Sequence, residues 1–244
     1  MFYLFTLLIA EACPLPANIT QHPVPIILST ESWPGFTNAD QSGAYFDLVN
    51  LLLPKEQFAL KVHFTIFSRA LYDVEQQRAD IALAISTNDS KKDILLSANP
   101  MDQDRIVALY NPGRFSINSV DDLRKLRLAW NLAYDYGRIL DIDTNGYEVI
   151  NTQQGIDLVN KNRVDAYLAE LSLLKNYDRK IKLLSLTWKP ITTDDVYAGF
   201  ASNEKGRYLK CYWDNAFNTA LENGRLQRLY DSYPDMFLDV KPLR

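Results

Sequence analysis

Histidine and cysteine occur twice each in 244 residues, and glycine nine times. His22 and His63 are far apart, and Cys13 and Cys211 stand near opposite ends, so no His/Cys set has the spacing of a zinc site. The chain also lacks G-x-G-x-x-G, G-K-[ST], G-x-S-x-G, H-E-x-x-H and C-x-x-C. The usual signatures of dinucleotide binding, phosphate loops, nucleophile elbows, zinc proteases and dithiol chemistry are therefore missing. A Ser-His-Asp triad would need one of the two histidines, and His63 reads as a half-exposed strand residue. Basic residues are not in excess: 26 Lys and Arg against 30 Asp and Glu leave a formal charge of −4. That sign argues against a nucleic-acid binder, whose phosphate contacts need a basic surface. No stretch after the N-terminus approaches the ~18 continuous apolar residues of a membrane helix. No metal or cofactor is expected.

What is present is aromatic surface: fourteen Tyr, eleven Phe and four Trp, in a chain that is 47% apolar and 23% charged. These are the proportions of a folded, soluble protein. Phe2–Ala10 has the length of a signal-peptide apolar region, and Ala10-Glu11-Ala12 resembles a cleavage site, so residues 1–12 are expected to be removed on export. The other reading is a buried N-terminal strand or helix. In an oxidising compartment Cys13 and Cys211 are candidates for a disulfide, against the alternative of two free thiols. Cys211 falls in a helix-patterned segment, Glu204–Glu222, whose apolar stripe is Leu209, Trp213, Ala216, Phe217 and Ala220. At 100° per residue it lies about 200° from Leu209, on the polar side.

Strand and helix patterns alternate along the chain. Val24–Ser29 reads as a buried strand, Gly43 precedes a helix, and Val62, Phe64 and Ile66 alternate as a strand. A helix at Ala70–Arg78 and apolar strands at Asp80–Ile85 and Arg105–Tyr110 follow. After the turn Asn111-Pro112-Gly113, Ser119 and Asp122 make a capping-box pattern. Strands are then expected at Arg127–Trp130, Tyr147–Ile150, Val164–Ala169, Ile181–Leu186 and Val196–Ala201. Helices are expected at Asp135–Leu140, Gln153–Lys161, Leu171–Tyr177 and Arg225–Tyr233. This is an α/β pattern of mostly parallel sheets flanked by helices. In such sheets ligands bind beyond the carboxyl ends of strands. There the chain places Trp33, Phe36, Tyr45, Thr87, Asn88, Asn131, Tyr134 and Glu170.

An ordered set of short motifs carries a resemblance. Glu31-Ser32-Trp33-Pro34-Gly35-Phe36 and Gly43-Ala44-Tyr45-Phe46-Asp47-Leu48 open it, followed by Arg78-Ala79-Asp80-Ile81 and Ser97-Ala98-Asn99-Pro100. Ser119–Leu126, then Asn162-Arg163-Val164-Asp165-Ala166 with Glu170, and Asn223-Gly224-Arg225-Leu226 complete the order. The set resembles extracellular solute-binding proteins of family 3, the polar-amino-acid type. The resemblance implies two α/β lobes closing on a small ligand, with crossovers near Ala108–Asn111 and Thr193–Ala198. Lobe 1 would be 22–109 plus 197–244, and lobe 2 would be 110–196. It further implies a periplasmic, monomeric, non-enzymatic ligand binder that works with an ABC-type membrane permease or a receptor.

The departures bear on the ligand. Where that family holds the α-carboxylate with an Arg, counting from either flanking motif gives Ser90 or Lys91. The second-lobe loop of the family reads Asn131-Leu132-Ala133-Tyr134 here, with Asn131 in place of Gly. Glu170 stands at the acid position that meets an ammonium group. The resemblance thus implies a small polar, amine-bearing ligand held by Trp33, Phe36, Tyr45, Thr87, Asn88, Lys91, Asn131, Tyr134 and Glu170. Two alternatives stay open: a dehydratase-type enzyme on the same fold with Glu170 as general acid, and a sensory module acting through a partner.

Overall fold

Two long strands, paired antiparallel, run from one half of the molecule into the other, and every other strand is placed by them. The computed structural model describes residues 13–87, 92–132, 134, 136–143 and 146–237; the expected signal peptide, 1–12, lies outside the described residues. The first half contains β1 (Val24–Thr30), α1 (Ala44–Leu52), β2 (Phe58–Phe64), α2 (Phe67–Glu75), β3 (Ile81–Ser86) and β4 (Ile94–Leu96). β5 (Asp102–Tyr110) crosses into the second half, with α3 (Val120–Leu123), β6 (Leu128–Asn131), α4 (Tyr136–Ile139) and β7 (Tyr147–Val149). There follow α5 (Thr152–Asn160), β8 (Ala166–Glu170), α6 (Leu171–Lys175) and α7 (Asp178–Leu183). β9 (Thr187–Ala201) returns to the first half, completed by α8 (Glu204–Glu222) and α9 (Arg225–Asp231).

The strand order is β2-β1-β3-β9-β5-β8-β6-β7, with β4 also on β9. β2-β1-β3 and β7-β6-β8 are each parallel, whereas β9 and β5 are antiparallel to their neighbours. Read from either edge, each half has its second strand outside, its first in the middle and its third inside, so the two halves share one plan. β5 and β9 pair from Asp102↔Val196 to Tyr110↔Thr187.

Alternate residues of the crossing strand serve opposite faces. Ile106, Ala108 and Tyr110 join a core with Leu128, Trp130 and Tyr136, while Val107 and Leu109 join one with Ile156, Val159 and Tyr167. The first half has its own core, centred on Ile26, Leu28, Phe46, Leu52 and Ile81, against which α8 lays Leu209, Trp213 and Phe217. Residues 106–110, which the resemblance puts at the end of lobe 1 and at its first crossover, thus pack in the second half.

Three expected elements are corrected. Ile181–Leu186 is not a strand: Ile181 and Leu184 pack against the second half's core at helical i,i+3 spacing while Leu183 is exposed, and Ile181–Leu183 form the end of α7. Ser185, at φ 53°, ends it. Ile66 lies beyond β2, exposed, as the residue before α2. β9 begins nine residues before Val196, at Thr187. Its polar first part and Pro190 hide the pattern, and the register shifts at Ile106/Val107, opposite Thr192 and Pro190.

Cys13 is bonded to Cys211 on α8, and the Asn215 amide donates to Cys13 Sγ at 3.2 Å. The bond closes a loop of 198 residues. Replacing both cysteines by serine is expected to lower stability by about 2–5 kcal/mol, roughly 5–15 °C in Tm, and wild-type protein under non-reducing conditions to offer no thiol to alkylation; calorimetry and mass spectrometry check both.

Candidate ligand-binding cleft

The loop after β1 is built as a rigid unit. Buried Thr37 accepts from the Trp33 N–H at 2.9 Å and donates to the Glu31 carbonyl at 2.6 Å. The first free N–H groups of α1 are spent on the same loop: Ala44 donates to the Gly35 carbonyl at 3.0 Å and Tyr45 to the Phe36 carbonyl at 3.1 Å. Gly43 permits this approach, since its φ is 114° and a Cβ there would lie 2.6 Å from the Phe36 carbonyl oxygen. The loop and helix therefore fix Phe36 and Tyr45 side by side, ring centres 4.9 Å apart.

From this pair a run of rings leads across the cleft. Trp33 meets Tyr45 edge-on at 6.3 Å and Phe67 at 5.7 Å. Phe67, at the start of α2, meets Tyr134 of the second half at 5.6 Å, and Tyr134 meets Tyr136 at 5.9 Å. Burial pushes the Tyr45, Tyr134 and Tyr136 hydroxyls well above the usual phenol range, so all three stay protonated. Trp33 Nε1 is buried and, among the described residues, makes no hydrogen bond of normal geometry. It lies beside the Tyr134 hydroxyl and eases that group's ionisation.

Carboxylates close the ring. β5 starts on the cleft with Asp102, which accepts from the Tyr45 hydroxyl at 2.9 Å and from the Gln103 and Phe237 N–H groups at 2.8 Å each. Desolvation outweighs those bonds and pushes Asp102 up to about 7. Glu170 ends β8 and caps α6, accepting from the Ser172 N–H at 2.8 Å and from the Ser172 hydroxyl. Burial again raises its pKa, the nearby Asp235 adding to it. Glu31 accepts from the Phe67 N–H at 2.8 Å, and is likewise raised by burial.

Trp33, Phe36, Tyr45, Tyr134 and Glu170, all expected from sequence, line one cavity of about 40 Å³ between the halves. Asp102, Gln103, Asp104, Ser172, Leu173 and Asp235 line it too, and none of these was expected. Asp102 and Asp104 stand just before the expected strand Arg105–Tyr110, in the part of β5 that the sequence pattern did not mark. Asn131 lies instead on an adjoining hollow with Glu31, Phe67 and Tyr134. Its Oδ1 accepts from the Tyr167 hydroxyl at 2.7 Å. Thr87 is exposed beyond β3 and does not line the cavity. Asn88 and Lys91 lie outside the described residues. Among the described residues no His/Cys/Asp/Glu group is arranged to hold a metal ion, and no helix is long and apolar enough to cross a membrane.

No protein-family model matches the chain. It is 30% identical over 161 residues to PatH of Vibrio harveyi, whose name assigns it provisionally to amino-acid ABC transport as the binding protein. The match takes in 64% of this chain and 65% of PatH, so the chain spans about 65% of that relative's length. Among solved structures, a histidine kinase sensor domain similar to periplasmic binding proteins gives a TM-score of 0.71 at 13% identity, over 86% of this chain and 95% of that one. ArtJ, the arginine-, lysine-, histidine-binding protein of Geobacillus stearothermophilus, gives 0.70 at 14% identity, over 88% and 97%. The fold is thus the periplasmic-binding-protein-like α/β fold, and the chain is similar to amino-acid-binding proteins in sequence and architecture.

Asp102 makes stability depend on pH. A carboxyl at about 7 in the fold and near 3.8 when unfolded holds its proton better in the native state, so its contribution falls as pH rises from about 4 to about 7. Asp102→Asn keeps an acceptor for the Gln103 and Phe237 N–H groups. It is expected to match the parent below pH 4 and to exceed it at pH 8 by on the order of 2–4 kcal/mol. Denaturant titrations at the two pH values check this; an equal difference at both would assign the effect elsewhere.

Proposed function

We propose that the chain is a divergent member of the family 3 extracellular solute-binding proteins. It acts in the periplasm as a binding protein rather than an enzyme, and delivers a small polar, amine-bearing ligand to an ABC-type permease. The observation that carries this reading is the convergence of Trp33, Phe36, Tyr45, Tyr134 and Glu170, from both halves, on one cavity beside the two crossing strands. The rings supply faces for a cation, an attraction of about 0.5–2 kcal/mol each, and Glu170 supplies a carboxylate for an ammonium group.

The cavity of about 40 Å³ is far below the ~300 Å³ at which small-molecule pockets begin. A ligand therefore enters by parting the halves, with Tyr134 leaving Phe67, and closure follows as the ligand touches both sides. The acids weigh against the dehydratase alternative, whose dicarboxylate substrate would meet Asp102 and Asp104. The likeness to a kinase sensor domain supports a second use of the same site, in which closure is reported to a receptor partner instead of a permease.

Native mass spectrometry of the purified protein, followed by calorimetric titration with basic amino acids and amines, tests the reading. At least one of these is expected to bind, and Trp33→Ala to weaken it tenfold or more while Thr87→Ala leaves it within twofold. Unchanged affinity in Trp33→Ala would place the site elsewhere.

A further inference from the structure

Beyond α9 the chain forms a strap along the cleft. Residues 233–237 are fixed to the first half: the Tyr233 hydroxyl donates to Asp47 of α1, Met236 is buried in that half's core, and the Phe237 N–H donates to Asp102 at 2.8 Å. The Arg105 guanidinium of β5 lies over the Phe237 ring. From this fixed position the Asp235 carboxylate reaches the second half, where it pairs with the ammonium of Lys175 in the last turn of α6.

Asp235 faces two spaces. It lines the cavity with Glu170 and Phe36, and it lines an outer hollow of about 410 Å³ with Phe36, Asn38 and Tyr233. Phe36 and Asp235 are common to both, so they stand between the inside of the site and its outer approach. Burial first, and then the charge of Asp235, hold the Glu170 carboxyl up, which puts the two acids within electrostatic reach of each other. Lys175 therefore neutralises one member of an acid pair on the cavity wall. Its side chain is 44% exposed and that of Asp235 38%. At that exposure the lysine can return its ammonium to water on a flexible stem with little desolvation cost. A ligand cation enclosed by the halves would meet the same carboxylate where solvent screens it less.

Resting on the binding-protein reading above, we propose that Lys175 is a resident counter-cation of the site, paired with Asp235 when no ligand is bound and exchanged for the ammonium or guanidinium group of the ligand. Asp235 is then a ligand-contacting residue that helps set specificity, and Lys175 is an internal competitor that disfavours weak amines. The exchange breaks the pair between α6 and the strap as the ligand arrives, so the cost of parting the halves is offset at the carboxylate where it arose.

The test is calorimetric titration of arginine, lysine, agmatine and cadaverine into the wild type, Lys175→Met, Asp235→Asn and the double variant, each checked for native circular dichroism. For the probes that the wild type binds, Lys175→Met is expected to tighten binding by about two- to fivefold, the size of a half-exposed pair. Asp235→Asn is expected to weaken it by roughly fivefold or more. The double variant is expected to match Asp235→Asn, because Lys175 acts through Asp235. Lys182→Met, which removes an exposed lysine of α7 that lines neither space, is expected to bind as the wild type does. Affinity unchanged in Lys175→Met, or raised equally in Lys182→Met, overturns the exchange and leaves the binding-protein reading standing. Weakening in Lys175→Met also overturns it, and weakening confined to arginine and lysine would make Lys175 a carboxylate clamp instead. No binding of any probe by the wild type or by Lys175→Met overturns both the exchange and the amine-binding reading.

Discussion

The antiparallel pairing of β5 with β9 is the constraint on which the rest of the molecule depends. Nine positions on β5 are matched along it, from Asp102↔Val196 to Tyr110↔Thr187. Its far end must be apolar, because Ile106–Tyr110 are buried on both faces between two cores. Its near end must be polar, because Asp102 and Asp104 lie where the two halves face each other. One strand therefore changes from a cleft wall to a core strand within four residues, and the bulge opposite Pro190 falls at that change. The hinge and the site share the same backbone, so a ligand touching Asp102 or Asp104 acts on the element about which the halves would turn.

Burying carboxylates beside that hinge is costly unless donors surround them. Asp102 has three donors, yet desolvation still dominates and lifts it to about 7. Glu170 has Ser172 twice, through N–H and hydroxyl, and remains raised. Such groups ionise more readily when a cation enters, since an opposite charge at close range favours the charged form. Affinity for a cation would therefore be linked to proton release near neutral pH, with Asp102 the group best placed to supply it. The C-terminal segment belongs to the same system: the Phe237 N–H holds Asp102, its ring lies under the Arg105 guanidinium 3.0 Å from the ring centre, and Asp235 pairs with Lys175 of the second half.

How much of this was legible in the sequence depended on the range of the forces involved. Trp33-Pro34-Gly35-Phe36 and Gly43-Ala44-Tyr45 form a short-range unit, bonded through Thr37 and the first turn of α1, so the motif carries its own geometry. Glu170 was legible for a similar reason, standing at the end of an apolar strand and the start of a helix. Asp102 and Asp104 were not, because an acid at the edge of an apolar run looks like a solvated strand end; only the pairing with β9, distant in sequence, turns it inward. The Ile181–Leu186 segment misled because two leucines next to each other fit either period. Tertiary contact with Ile181 and Leu184, not local preference, chose the helix.

Tyr134 ties the two halves together across the cleft. It belongs to the second half, yet packs partly against the first half's core as well as its own. A ring pair such as the tilted Phe67–Tyr134 contact is worth about 0.5–1.5 kcal/mol beyond its buried area, and the Lys175–Asp235 pair adds a tie that is exposed and weak. A ligand must replace these contacts before it gains its own, and every ~1.4 kcal/mol of closure energy not recovered costs tenfold in affinity. On the binding-protein reading a cation would recover it by exchanging a ring–ring contact for a ring–cation contact and by meeting Glu170. An apolar molecule recovers only the rings. The aromatic run thus sets how firmly the halves hold together, and a ligand binds only as far as its own contacts with both halves return that energy.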